Sequence, residues 1–254
     1  MEAKSLRIAE LGWEHPRTLE TIAALAWVDW RQGRFKEAEE ADLKMVETRQ
    51  KVLGEEHPNT FVSMHSLGVT YTSQGRWKEA EEIMLRVVKI GQKVLGKDHY
   101  ETLVSMGSLA RIYLEQGRLE EAEELFAEVV EKFKRVSGDE YPETLTSKAL
   151  LARTYWRQGR WEEAAELNEK VFEMYGRVLG EKHPHTLVTM SNLACTYLHQ
   201  GRLEEAARLG EKVLEATQRV FGEQHPQTLG CVYTLAITRR SQGRMDDALA
   251  LMQN

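Results

Sequence analysis

The sequence contains little cysteine, little proline and no long apolar run. Its 254 residues include two cysteines and five prolines. Cys195 and Cys231 lack the close spacing of metal ligands and fall within predicted helices, so we expect reduced thiols that pack as small apolar residues. No apolar run approaches the length of a membrane span, and the first eleven residues lack the apolar stretch of a secretory signal. These absences predict a cytoplasmic location, where thiols stay reduced.

Positive charge is not concentrated anywhere in the chain. The 34 Lys and Arg residues are outnumbered by 40 Asp and Glu residues, which gives a net charge of −6. Nucleic acids and acidic membranes are bound by clustered positive charge, so neither is an expected partner. The sequence also lacks a glycine-rich phosphate loop with its lysine, H-E-x-x-H and G-x-S-x-G. We therefore predict no enzymatic activity, no catalytic residue and no cofactor.

A tripeptide recurs with a fixed period of 42 residues. Gln-Gly-Arg occupies 32–34, 74–76, 116–118, 158–160, 200–202 and 242–244. A second glycine, as at Gly12 and Gly54, keeps the same period, and every proline follows such a glycine by four residues. A period of this length marks a solenoid, in which each unit leaves an apolar face exposed unless its neighbour covers it.

Each repeat has the pattern of two helices. Apolar spacing predicts helix A over 16–31 and helix B from about 35 to 53. The inner side of helix A carries Leu19, Ile22, Leu25 and Ala26, and that of helix B carries Phe35, Ala38, Ala41, Met45 and Val52. Proline suits the first position of helix A because its missing N–H has no intrahelical partner there, and His15 stands at the N-cap. Ala38 recurs in every repeat, and its small side chain allows close helix packing.

These features predict an all-α fold, a right-handed α-solenoid of antiparallel helix pairs that forms a single array over 1–254. The predicted repeats are 15–56, 57–98, 99–140, 141–182, 183–224 and 225–254, the last of them incomplete. Residues 1–14 align with the tail of a preceding repeat. Because stable arrays normally end in polar-faced capping units and both ends here lie inside a repeat, we expect a fragment of a longer protein.

The repeats resemble the tetratricopeptide repeat in an elongated form. The second repeat carries Leu67-Gly68, Tyr71, Gly75, Trp77 and Ala80. The phrase Leu-Gly-x-x-His-Pro-x-Thr, at 53–60 and 179–186, is specific to the elongated subgroup. That subgroup is similar to kinesin light chains and to the C-terminal arrays of fungal nucleotide-binding (NB-ARC or NACHT) receptor-like proteins. The resemblance covers nearly the whole chain and implies a superhelix whose concave face, lined by helices A, binds a peptide or protein.

Some positions depart from the family pattern. Asp29 and Arg239 replace the tyrosine found at Tyr71 and its equivalents. Light chains also carry paired asparagines on helix A that hold a peptide backbone, and here only Asn192 remains. The receptor-type array is therefore the closer resemblance.

The resemblance places a ligand groove on the outer stripe of helices A. The predicted groove residues are Trp27, Trp30, Arg31, His65, Val69, Arg111, Leu114, Arg153, Trp156, Arg157, Asn192, His199 and Tyr233. The aromatic members offer large apolar surface at little entropic cost, and the arginines suit carboxylates. We therefore predict an acidic ligand segment with at least one bulky apolar residue. The alternative is that these are solvated arginines and tryptophans that pack between repeats.

Histidines and glutamates recur without the geometry of a metal site or an acid–base pair. His15, His57, His99, His183 and His225 lie in successive loops, too far apart to share a zinc ion, so we predict capping roles and no metal site. The pairs Glu39-Glu40 and Glu123-Glu124 begin helix B beside its positive dipole end, where we expect them to face solvent.

The predicted function is a protein-interaction or ligand-sensing array within a larger signalling receptor-like protein. One alternative is a cargo adaptor similar to kinesin light chain. The other is a structural module whose groove is filled by other domains of its own parent chain or by a second copy.

Overall fold

The chain is almost entirely helical in the computed structural model, which describes residues 11–253. This range holds twelve helices and no strand. They are α1 (Pro16–Arg31), α2 (Phe35–Leu53), α3 (Pro58–Ser73), α4 (Trp77–Val94), α5 (Tyr100–Gln116), α6 (Leu119–Ser137), α7 (Pro142–Arg157), α8 (Trp161–Val178), α9 (Pro184–His199), α10 (Leu203–Phe221), α11 (Pro226–Ser241) and α12 (Met245–Gln253). Odd-numbered helices are helices A and even-numbered ones are helices B. The predicted tail of a preceding repeat lies largely outside the described residues.

The helices pack in chain order within two compact units, which divide between Glu121 and Ala122. In the first unit, each of α1 to α4 contacts the next helix along the chain. In the second unit, each of α7 to α11 contacts the next helix along the chain. Helices A of adjacent repeats are also in contact: α3 contacts α5, and α9 contacts both α7 and α11. The paired-helix solenoid predicted from the period of the sequence is confirmed.

Histidine caps begin most helices A. The Nδ1 atoms of His15, His57, His99, His183 and His225 each accept a hydrogen bond from the backbone N–H two residues later, at 3.1 to 3.3 Å. Each therefore satisfies one of the donors that a helix N-terminus leaves unpaired. The predicted capping role of these histidines is confirmed.

The Gln-Gly-Arg tripeptide ties one repeat to the next. Gly75 adopts φ 73°, a conformation that is strained in a residue with a side chain. The guanidinium carbon (Cζ) of Arg76, the next residue, lies 4.4 Å from the centre of the Tyr71 ring. The Arg76 guanidinium also pairs with Glu39 of the preceding helix B at 2.6 Å. We call this arrangement of tyrosine, arginine and preceding glutamate the arginine clasp. It recurs at Arg118 with Glu81, and at Arg160 with Glu123.

The clasp corrects one prediction about the glutamate pairs. The first member of each pair was expected to face solvent, but Glu39 and Glu123 are half-buried and accept hydrogen bonds from an arginine and a glutamine of the next repeat. Glu40 and Glu124 are exposed, as expected. A sequence pattern on one helix does not show which residue of the following repeat reaches back to it.

Small and apolar residues fill the inner side of each pair as predicted, with one exception. Leu19, Ile22, Ala26 and Met45 form one buried cluster. Ala38 and its five equivalents are buried in every repeat. Val52, however, which lies in the last turn of α2, is 48% exposed.

A glycine in α4 provides a test of this packing. A Cβ atom on Gly91 would lie 2.9 Å from Thr102 Oγ1 and 3.0 Å from Phe61 Cε2. We expect Gly91→Ala to lower the free energy of unfolding by about 1–3 kcal/mol, since the surrounding core would have to shift. Among the described atoms none lies within 4 Å of a Cβ placed on Gly176, also within a helix B, so Gly176→Ala should raise stability by roughly 0.5–1 kcal/mol. Urea denaturation would measure both, and equal effects would contradict the packing.

Candidate functional site

In the first unit, the predicted groove residues at its N-terminal end divide into exposed and packed side chains. Trp27 is 60% exposed, and the Arg31 guanidinium lies 5.1 Å from the centre of its ring. Trp30 is half-buried, and its indole Nε1–H donates to Ser73 Oγ at 2.8 Å. Trp27 therefore offers apolar surface, whereas Trp30 packs between repeats.

The remaining predicted residues of this unit are largely internal. His65 Nε2 lies 3.2 Å from Ser108 Oγ, and burial lowers the pKa of His65 to about 4, with the positive charge of Arg111 acting in the same direction. The His65 ring is therefore neutral at physiological pH. Val69 and Arg111 are half-buried. Leu114 is 0% exposed, so its prediction as a ligand contact is wrong, because the surrounding residues cover the side chain completely.

In the second unit, several predicted residues come together. Arg153 and Arg157 are exposed and lie one helical turn apart on α7. Trp156, between them, is half-buried, and its ring meets the edge of His199 at a centroid distance of 5.1 Å. Tyr233, on α11, is 59% exposed.

A cavity of about 130 Å³ lies beside Trp156. Its walls are Arg153 and Trp156 from α7, Asn168 from α8, and Asn192, Cys195 and Thr196 from α9. Three of these residues, Arg153, Trp156 and Asn192, belong to the predicted groove. The cavity therefore lies where two consecutive helices A meet the helix B between them.

Two buried polar atoms in the walls of this cavity are unsatisfied. Across residues 11–253, neither Trp156 Nε1 nor Asn168 Oδ1 has a hydrogen-bond partner. Asn168 is only 1% exposed. A buried polar group left without a partner costs about 1–3 kcal/mol, so such groups call for a physical explanation. We call these two residues the Trp156–Asn168 pair.

The first unit has a tryptophan and a polar residue at the equivalent positions three repeats earlier, with different surroundings. Trp30 and Asp42 occupy the positions of Trp156 and Asn168. Ser73, which accepts from Trp30, is replaced in the second unit by His199. The Thr70 hydroxyl donates to Asp42 Oδ2 at 2.7 Å, whereas the equivalent Thr196 donates to the backbone oxygen of Asn192. Trp30 and Trp156 therefore occupy equivalent positions, but the Trp30 indole N–H donates to Ser73 whereas that of Trp156 has no partner in the described range.

Asp42 is a buried acid whose ionisation is unfavourable. Burial raises the pKa of Asp42 from 3.8 to about 6, against the opposing effect of hydrogen bonds from Thr70 and Ser66. In the described part of the chain, its second oxygen, Oδ1, has no hydrogen-bond partner. At neutral pH this carboxylate is a stability cost within the first unit.

Neither Asp42 nor Asn168 was predicted from the sequence, although a signal was present. Their position in helix B holds Met84, Phe126, Gly210 and Met252 in the other repeats. A tryptophan occupies the matching position of helix A only in the same two repeats, where the others have Thr72, Leu114, Leu198 and Arg240. A polar residue at an inner position of helix B, in the same repeats in which helix A carries a tryptophan, could have indicated a specialised site.

Three further observations concern chemistry beyond this cavity. Cys195 and Cys231 are both free thiols, and burial raises the pKa of each. Between residues 11 and 253 no cluster of three or more His, Cys, Asp or Glu side chains is placed to hold a metal ion. No helix in the same range has the length and apolar character needed to cross a bilayer.

Paired helices with a 42-residue period define an α-solenoid. A family profile described as tetratricopeptide repeat matches residues 31–90, 70–135, 109–177, 143–217 and 196–253. The chain belongs to the tetratricopeptide-repeat family and is a protein-interaction scaffold of that type. We found no match among curated proteins.

Solved structures with the same fold come from several kinds of protein. Nearly identical repeats from a Podospora anserina protein assigned as a kinesin light chain are 34% identical, with a TM-score of 0.69, and the match covers 81% of this chain and 97% of that one. The apo quorum sensor NprR from B. thuringiensis is 17% identical, with a TM-score of 0.73 and coverage of 99% and 67%. The Pyrococcus horikoshii signal transduction ATPase PH0952, which has a tetratricopeptide repeat sensor, is 17% identical, with a TM-score of 0.69 and coverage of 98% and 40%. The last two likenesses concern the fold alone.

Proposed function

We propose that this chain binds a peptide segment of a partner protein on its helices A, and that the ligand of the second unit lies over the cavity beside Trp156. The observation that carries this proposal is the convergence of Arg153, Trp156 and Asn192, from two neighbouring helices A, on one cavity with unsatisfied polar atoms. Binding, and not catalysis, is the proposed activity.

Exposed side chains on helices A favour an acidic ligand with a bulky apolar residue. Arg153 and Arg157 place two guanidinium groups on one face of α7, where they suit carboxylates. The exposed ring of Tyr233, on α11 of the same unit, offers apolar contact area. In the first unit, the exposed ring of Trp27 supplies similar surface.

The proposed setting is the ligand-sensing part of a larger cytoplasmic signalling protein, in which the partner is a separate peptide or another domain of the same chain. Structures with this fold include a quorum sensor bound to its cognate peptide and an ATPase with a repeat sensor, which supports a sensing role. The second candidate is a cargo adaptor, and it is favoured by the 34% identity to kinesin-light-chain repeats. A self-association module is the third, and light scattering over a concentration series would reveal it.

Selection from a random peptide library displayed on phage tests the proposal directly with the 254-residue chain. We expect enriched peptides to combine acidic residues with one bulky apolar residue. Trp156→Ala should weaken their binding about tenfold or more, as at a buried aromatic anchor. Trp77→Ala, which removes a helix B tryptophan, is the matched control and should leave affinity unchanged. Failure to enrich any peptide, or equal losses in both variants, would contradict a groove ligand at Trp156.

A further inference from the structure

The Trp156–Asn168 pair contains one unpaired donor and one unpaired acceptor, both closed to solvent, which a ligand group reaches when a neighbouring side chain moves. An indole N–H can only donate a hydrogen bond, and the amide oxygen of Asn168 can only accept one. Both atoms are buried, and throughout the described range neither is paired. A single group that satisfies both must therefore carry an acceptor and a donor.

We propose that the cavity beside Trp156 receives the side-chain carboxamide of an asparagine or glutamine in the bound segment. The carbonyl oxygen of that amide accepts from Trp156 Nε1, and its NH₂ group donates to Asn168 Oδ1. This assignment rests on the proposed peptide-binding function and adds a specificity to it.

A carboxylate fits the same cavity less well. It has no hydrogen to donate to Asn168, and it would carry a full charge into a buried site. Arg153 is exposed at the cavity wall, so it can pair with an acidic residue that stays outside. Sites built to hydrogen-bond a polar group reject an analogue that cannot complete the bonds, because buried partners are then left unpaired. The cavity and the arginines therefore select different residues of one ligand.

The size of the cavity suits a small polar side chain. Its volume of about 130 Å³ equals that of roughly four water molecules at ~30 Å³ each. A primary carboxamide with one or two methylene groups fills such a space.

The equivalent site of the first unit supplies an internal comparison. Trp30 Nε1 already donates to Ser73 Oγ at 2.8 Å, and an acid, Asp42, occupies the position of Asn168. A carboxamide therefore gains no bond from the Trp30 indole. The protein therefore contains one unpaired indole N–H, at Trp156, and one that is already hydrogen-bonded, at Trp30.

Indole N–H resonances of the ¹⁵N-labelled protein test this assignment without any known partner. The chain has six tryptophans, and the Trp156 resonance is identified by its loss in Trp156→Phe. Titration with propionamide should move the Trp156 resonance saturably and leave that of Trp30 in place. Propionate, the isosteric acid, and N-methylacetamide, which represents a backbone amide, should bind about tenfold more weakly, the value of roughly one hydrogen bond. Asn168→Leu should remove the response to propionamide, with circular dichroism confirming the fold.

The outcomes separate this assignment from the proposed function. An equal or stronger response to propionate or N-methylacetamide, or no saturable shift of Trp156, overturns the carboxamide assignment. Because the three small molecules are compared on the unaltered protein, this result stands even if Asn168→Leu fails to fold. If a library-selected peptide binds but propionamide does not, the proposed groove function stands and only the carboxamide site is contradicted. A propionamide response without any peptide ligand would support the cavity and count against the groove.

Discussion

Reversal of charge at Arg153 and Arg157 together is expected to weaken the binding of an acidic peptide at least about 100-fold, or ~2.7 kcal/mol. The two exposed side chains lie on one face of α7, so a bound carboxylate meets both. Hydrogen bonds to charged groups each contribute about 1.5–3 kcal/mol, and Arg153→Glu with Arg157→Glu replaces that attraction with repulsion. Fluorescence anisotropy with a library-selected peptide would measure the loss, which should shrink at high salt.

The control for this variant carries the same charge change on another helix. Lys212→Glu with Arg219→Glu alters two exposed basic residues of α10, and Arg219, like Arg157, lies in the last turn of its helix. Both double variants should keep the helical circular dichroism spectrum of the parent protein. Unchanged affinity in the α7 variant, or an equal loss in the α10 variant, would refute a ligand at Arg153 and Arg157.

Asp42→Asn is expected to stabilise the protein by up to about 3 kcal/mol at pH 7.5 and to have little effect near pH 4. The folded pKa of Asp42, about 6, lies above its ordinary value of 3.8, so the folded state binds the proton more tightly than the unfolded state does. Stability is therefore lost as pH rises from about 4 to 6, and the full penalty remains above that. Asparagine stays neutral throughout, and Asn168 shows that an amide is accommodated at this position of the repeat.

The reverse substitution is the matched control for Asp42→Asn. Asn168→Asp places an acid at the equivalent buried position, so it should lower stability at pH 7.5 and recover on acidification. Urea midpoints at several pH values would measure both variants. A gain from Asp42→Asn that is the same at pH 4 and pH 7.5 would show that ionisation of Asp42 is not the cause.

The regular part of the fold was predictable because its determinants are local. The apolar period, the proline at the first helical position and the glycine after each helix predicted bounds for the first two helices that agree with Pro16–Arg31 and Phe35–Leu53. The histidine caps followed from the same local logic. The glycine recurs six times and the proline and the histidine five times each, so the repetition itself separates them from chance.

The candidate site was predictable only in part, because its properties depend on residues about one repeat away. Trp30 and Trp156 look equivalent in the sequence, yet their partners differ through Ser73 and His199, each 43 residues further along. Leu114 shares the apolar character of an anchor but is covered completely by its surroundings. Which groove residue is exposed is decided by the neighbouring repeat, and no single-helix pattern contains that information.

The arginine clasp separates what joins the repeats from what faces a ligand. Tyr71, Arg76 and Glu39 form one junction, and none of their equivalents in the second unit lines the Trp156 cavity. A gene could therefore duplicate, delete or exchange 42-residue segments joined by the clasp, as at Arg76, Arg118 and Arg160, while those junctions stayed compatible. Ligand preference could change by recombination of intact repeats, with no need for compensating mutations at their boundaries.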